Sequence, residues 1–119
     1  MVDVTPERFE ELVGVALDGI PEGLGRMMDN VAVFVEDDSR AGNLLGLYHG
    51  VPLTSRNNAY GYSSGTFPMP DRITIYRVPI CHICRTEDEV VRQVRVTVIH
   101  EVAHHFGIDD DRLTELGWA

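Results

Sequence analysis

A chain of 119 residues with 44% hydrophobic content has room for one domain, residues 1–119, and a modest buried core. Its 19 acidic residues against 10 basic ones leave a net charge of −9, which disfavours nucleic acid and anionic membrane as partners. The segment from Met1 to Phe9 has no apolar stretch of signal-peptide type and no run reaches membrane-spanning length; with only two cysteines, the chain is expected in a reducing cytoplasm.

Thr5-Pro6-Glu7 reads as an N-cap, a proline at the first helical position and an early acid. Phe9, Leu12, Val13, Ala16, Leu17 and Ile20 then step as one face of an amphipathic helix, which Gly19 and Pro21 end. A short helical turn through Leu24, Met27 and Met28 is readable, against the presence of Gly23 and Gly25. Val31 to Val35 is a continuous β-prone run, expected as a strand buried on both faces. Leu44 to His49 is a second strand candidate, and Pro52 to Pro70 reads as a long loop punctuated by Tyr60, Tyr62 and Phe67. Arg72 to Val78 alternates and is expected as a third strand.

From Thr86 onward two periodicities compete. Val94, Val96 and Val98 alternate like a strand, yet Thr86-x-x-Glu89 is a capping box. Val91, Val94, Val98, Val102 and Phe106 also line one helical face, and Gly107 stands where a helix terminates. A helix is therefore expected, with Asp109 or Asp111 capping a short last helix that ends at Gly117. Cys81-His82-Ile83-Cys84 lacks a second CxxC and a thioredoxin-like context, so its thiols read as part-buried packing groups ahead of the capped helix.

That helix carries His100-Glu101-Val102-Ala103-His104, continuing to Gly107 and Asp110: the pattern HExxHxxGxxD. Residues four apart share a helix face, so the two imidazoles can reach one ion, and they project roughly opposite the apolar stripe. Glu101 projects from an adjacent angle, suited to act on a water bound to the metal. Gly107 can turn the chain back so that Asp110 completes a three-ligand zinc set, the fourth position going to water. Glu115 is the reserve third ligand, and His105, about 100° away from His104, suits a packing or supporting role. Tyr48, Tyr60, Tyr62, Tyr76 and His49 are candidates for an additional oxyanion donor.

On these residues the chain resembles the zincin-like metallopeptidases, more narrowly a family of small bacterial proteins of that kind. Ile73-Thr74-Ile75-Tyr76-Arg77, the Val98 to Gly107 core, the Leu113 to Gly117 tail, Leu45-Gly46-Leu47-Tyr48 and Val51-Pro52-Leu53 carry the likeness. The resemblance implies an α+β minimal zincin-like fold: a small mixed β-sheet, an N-terminal backing helix and an active-site helix. It also implies His100, His104 and Asp110 as zinc ligands, Glu101 as base, and substrate added as a strand along a sheet edge formed by Arg72 to Val78 or Leu44 to His49. The extended motif is similar to that of metzincins, with Asp in place of the usual His. Met27, Met28 and Met69 all precede it, so the methionine turn is missing and the groove is expected to be shallow. Three readings are open: a zinc metallopeptidase acting on a peptide or protein, a non-catalytic zinc-binding or interaction module, and a zinc hydrolase of non-peptide amides. Glu101 favours catalysis, since a structural zinc site needs no base.

Overall fold

Thr5 opens the first helix by accepting the Arg8 N–H on its hydroxyl at 3.2 Å, with Pro6 at the first helical position, where a missing N–H costs nothing. The computed structural model describes residues 1–40, 42–50 and 69–119. Along the chain come α1 (Pro6–Asp18), α2 (Glu22–Met27), β1 (Val31–Glu36), β2 (Gly46–His49), β3 (Asp71–Tyr76), α3 (Arg77–Ile83), α4 (Glu87–His105) and α5 (Asp110–Leu116). The loop expected from Pro52 lies outside the described residues as far as position 68, and Tyr60, Tyr62 and Phe67 with it.

The architecture is α+β, and among the described residues it holds a three-stranded mixed sheet in the order β1-β3-β2. β1 runs parallel to β3, and β2 runs antiparallel to it. α1 backs α4, and α4 lies against β2 and β3. Phe9, Leu12, Val13 and Ala16 of α1 join Val90, Val94, Val98 and Val102 of α4 and Ile73 and Ile75 of β3 in one core. Among the described residues no helix is long and apolar enough to cross a membrane.

Four expectations need correction. Among the described residues β1 borders the sheet, with Val31, Ala32, Val33 and Val35 half-buried and Phe34 and Glu36 exposed, rather than buried on both faces. Its Phe34 stays exposed beneath the Arg72 guanidinium, 4.6 Å from the ring centroid, and that cation–π contact suits an aromatic ring at the surface. An apolar run announces a strand, but its place in the sheet depends on partners elsewhere in the chain. The third strand stops at Tyr76, and Arg77 opens α3. Pro79 sits in the first turn of that helix, where its ring and missing N–H are tolerated. The two cysteines thus fall at the end of a helix that alternation alone had hidden, and both are buried.

The buried face of α4 also differs. Val91 is half-buried and Phe106 exposed, whereas Val90, Thr97, Ile99 and Ala103 are buried beside Val94, Val98 and Val102. A helix packed between α1 and the sheet buries a wider arc than a single stripe. At its start the Thr86 hydroxyl accepts the Glu89 N–H at 3.1 Å, as a capping box requires. The Glu89 carboxylate reaches one residue further back than the motif specifies, to the Arg85 N–H at 2.8 Å.

Candidate metal centre

The last turns of α4 present His100 and His104 on its exposed side, the imidazole rings stacked with centroids 5.8 Å apart. The helix then closes in a Schellman turn. The Gly107 N–H bonds the His104 carbonyl at 3.1 Å, and the Ile108 N–H bonds the Ala103 carbonyl at 2.8 Å. Gly107 has φ +79°, the left-handed region that a side chain would oppose. Asp109 caps α5 by accepting the Arg112 N–H at 2.9 Å, which places Asp110 at the first helical position.

The turn returns Asp110 to the histidines. Its Oδ1 lies 3.4 Å from His104 Nε2 and 4.0 Å from His100 Nε2. Donor atoms bound tetrahedrally at about 2.1 Å are separated by roughly 3.4 Å, so these spacings suit ligands that share one small ion. Two imidazole nitrogens and one carboxylate oxygen are also the donor types that zinc accepts. Among the described residues, as their side chains stand, no group of three or more His, Cys, Asp or Glu is placed to hold a metal ion. Asp110 is within hydrogen-bond distance of His104 and stands farther from His100. All are open to solvent, with side-chain exposures of 44% for His100, 55% for His104 and 72% for Asp110. Glu115 instead pairs with Arg112 at 3.1 Å.

Glu101 is held from across the fold. Its Oε1 accepts the backbone N–H of Tyr48 at 3.2 Å, a contact between β2 and α4. Sequence reasoning missed this clamp, although Gly46 carried a signal for it. A glycine within a strand often marks close approach. Here a Cβ on Gly46 would stand 2.7 Å from Thr97 Cγ2, so its absence lets β2 lie down on α4. His105 stacks on Tyr48 with ring centroids 4.0 Å apart, and its Nε2 lies 3.6 Å from Asp71 Oδ2. The Tyr48 hydroxyl donates to that same Asp71 oxygen at 2.7 Å. His105 is therefore engaged with a β2–β3 cluster, the packing alternative of the two that its angle on the helix suggests.

The oxyanion candidates separate in space. Tyr48 commits its hydroxyl to Asp71. His49 and Tyr76 line a hollow with Leu47, Arg72 and Thr74 on the sheet face away from α4. Tyr60 and Tyr62 lie outside the described residues. Cys81 and Cys84 stand apart from the centre, and burial raises both thiols above their ordinary range. Beside the histidines a groove of about 250 Å³ runs between the segment before β2 and α4, lined by Leu44, Leu45, Val96, Thr97, His100 and Glu101.

Comparison with known proteins adds a family and a fold. The model of a family described as zincin-like metallopeptidases matches residues 28–118. Comparison with curated proteins returns no match. Among solved structures, a conserved hypothetical protein from T. thermophilus is similar, at 24% identity over 86% of this chain and 94% of that one, with a TM-score of 0.52. At that identity the likeness concerns the fold alone.

Proposed function

The chain belongs to the zincin-like metallopeptidases, and from that premise we propose that it hydrolyses a peptide or amide bond with a zinc ion held by His100, His104 and Asp110. The observation that supports this most is the approach of Asp110 Oδ1 to both imidazoles, at 3.4 and 4.0 Å, beside the half-buried Glu101. A bound zinc ion would polarise the scissile carbonyl and bring the pKa of water toward about 7. Glu101 takes the proton of the attacking water and later hands it to the leaving amine. The substrate is a peptide or protein segment lying in the groove above α4. Among the described residues β3 is the central strand, so of the two strands considered for strand addition β2 is the one at the border. Two unpaired, buried thiols support a reducing compartment, the cytoplasm.

One observation favours the alternative of a non-catalytic zinc-binding module: the Glu101 carboxylate is tied to the Tyr48 N–H. Metal analysis of the purified protein, combined with hydrolysis of a broad peptide library by wild type and Glu101→Gln, separates the readings. The enzyme reading expects zinc in both and turnover only in wild type, with a loss of about 10²–10⁴-fold on removing the base. Zinc in both without turnover in either supports the module. A wild-type protein that takes up no zinc under metal-replete conditions eliminates the site.

A further inference from the structure

Two arginines of α4 are left without a carboxylate. Arg8, Arg26, Arg77 and Arg112 each pair with an Asp or Glu, whereas among the described residues Arg92 and Arg95 do not. Three residues apart on the helix, they share one face and open into a hollow of about 360 Å³ that Gly19, Val96, Ile99 and Trp118 also line. Two glycines set its walls. The Arg95 guanidinium lies against Gly19, where a Cβ would stand 2.6 Å from Nε, and Nε donates to the Ala16 carbonyl at 3.4 Å. A Cβ on Gly23 would stand 2.6 Å from Trp118 Cζ2, so its absence lets the indole settle on α2. Among the described residues no Asp or Glu side chain lines the hollow. Val96 lines both this hollow and the groove beside His100 and Glu101, so the two adjoin across α4.

We propose that this hollow is a subsite for a carboxylate of the peptide lying beside His100, and that Arg92 and Arg95 thereby select acidic substrates. The inference deepens the proposed hydrolysis, on whose groove it rests, by naming a substrate class. Guanidinium groups recognise carboxylates through paired N–H donors, and the Trp118 ring offers an apolar wall to the methylenes that carry the charge. The net charge of −9 repels an acidic ligand from afar. Salt screens that field over about 8 Å, so within the hollow the two adjacent guanidinium groups outweigh the distant acids. Along the helix axis Arg95 stands about 7.5 Å from His100, and Arg92 about 12 Å. An extended chain advances about 3.3 Å per residue, which puts the recognised carboxylate roughly two to four residues from the bond held beside the histidines.

Trp118 is the only tryptophan of the chain, so its fluorescence reports on the hollow, while the Gln93 side-chain amide reports on the groove in ¹⁵N spectra. The test uses the full chain kept in chelator and three probes: acetyl-Glu-Ala-Leu-Ala-Leu-Glu-amide, its counterpart with glutamine for glutamate, and that counterpart with a free C-terminal carboxylate. The glutamate peptide is expected to move both reporters and to bind about tenfold more tightly than the neutral one, the scale of a hydrogen bond to a charged group. Arg92→Gln and Arg95→Gln should each remove most of that difference and leave the neutral peptide's affinity unchanged, and Arg95→Lys should keep part of it. Arg92 is exposed, so its variant is expected to fold and decides the matter even if Arg95→Gln does not. A gain shown only by the free-carboxylate peptide supports the subsite and assigns it to a chain end. Equal affinity for all three, no binding, a gain that survives both glutamine substitutions, or movement of one reporter alone overturns the proposal. None of these readouts needs hydrolysis. Discrimination without cleavage keeps the subsite and removes the peptidase reading, and cleavage indifferent to carboxylates does the reverse.

Discussion

At the scale of single residues, the proposed centre draws on groups supplied by one helix and groups supplied by the rest of the fold. His100, Glu101 and His104 belong to one helix, so their spacing alone puts them within reach of one another. Asp110 arrives by a turn that sequence also announces, through Gly107 and the Asp109 cap. Its approach to His104 at 3.4 Å and His100 at 4.0 Å, against the Arg112 pairing of Glu115, leads to a direct comparison. Asp110→Ala is expected to weaken zinc binding by more than about 100-fold, beyond the range typical of supporting groups, and Glu115→Ala to leave it nearly unchanged. Competition against a chromophoric chelator measures both, and the opposite ranking would assign the third ligand to Glu115. The Tyr48 N–H on Glu101 and the Tyr48–Asp71–His105 cluster were not legible, because their partners sit on strands remote in sequence. Local periodicity carries no information about which strand will lie beside a helix.

Among elements, the junction between α4 and α5 matters most. Gly107 sits at φ +79°, where a residue with a Cβ costs about 1–2 kcal/mol. Gly107→Ala is therefore expected to lower stability by that amount in urea unfolding and to weaken zinc binding as well, since the same turn aims Asp110. Gly107→Asn, better tolerated in the left-handed region, should recover part of both. A Gly107→Ala protein that loses stability but binds zinc like wild type would separate the turn from the site. The helix starts were readable because Thr5 and Thr86 cap with their own side chains. The start of α3 was not, because Tyr76 begins it without a side-chain cap and Arg72 to Val78 alternates across the boundary. The edge position of β1 was hidden for a different reason: burial of a strand depends on what pairs on each side of it.

For the whole molecule, the titrating groups predict how stability responds to pH. Burial raises the Cys81 and Cys84 thiols above the ordinary value near 9. Below that value both folded and unfolded chains keep the protons, and the contribution is complete. As pH rises further, the unfolded chain gives up its thiol protons first, so stability falls until the native thiols ionise too. Denaturant midpoints measured from neutral to alkaline pH should decline, and the decline should shrink in a Cys81→Ala, Cys84→Ala double variant. Iodoacetamide at neutral pH should label both thiols in the unfolded chain and neither in the native one, as read by mass spectrometry. At the acid end, Arg8 bonds Glu87 at 2.8 Å, joining α1 to α4, and depresses the Glu87 carboxyl. That contribution is present above the ordinary carboxylate range and is lost as pH falls through the depressed value, a small effect for an exposed pair. Taken by itself, the sequence determined the α+β class and the motif-bearing helix with its cap and terminating glycine, because these arise from interactions over a few residues. Tertiary structure alone decided that, among the described residues, β3 is central and β2 lies beside it against α4, and that Glu101 is bonded to a strand amide. Those outcomes depend on pairing and packing between segments many residues apart, whose energies no local pattern encodes.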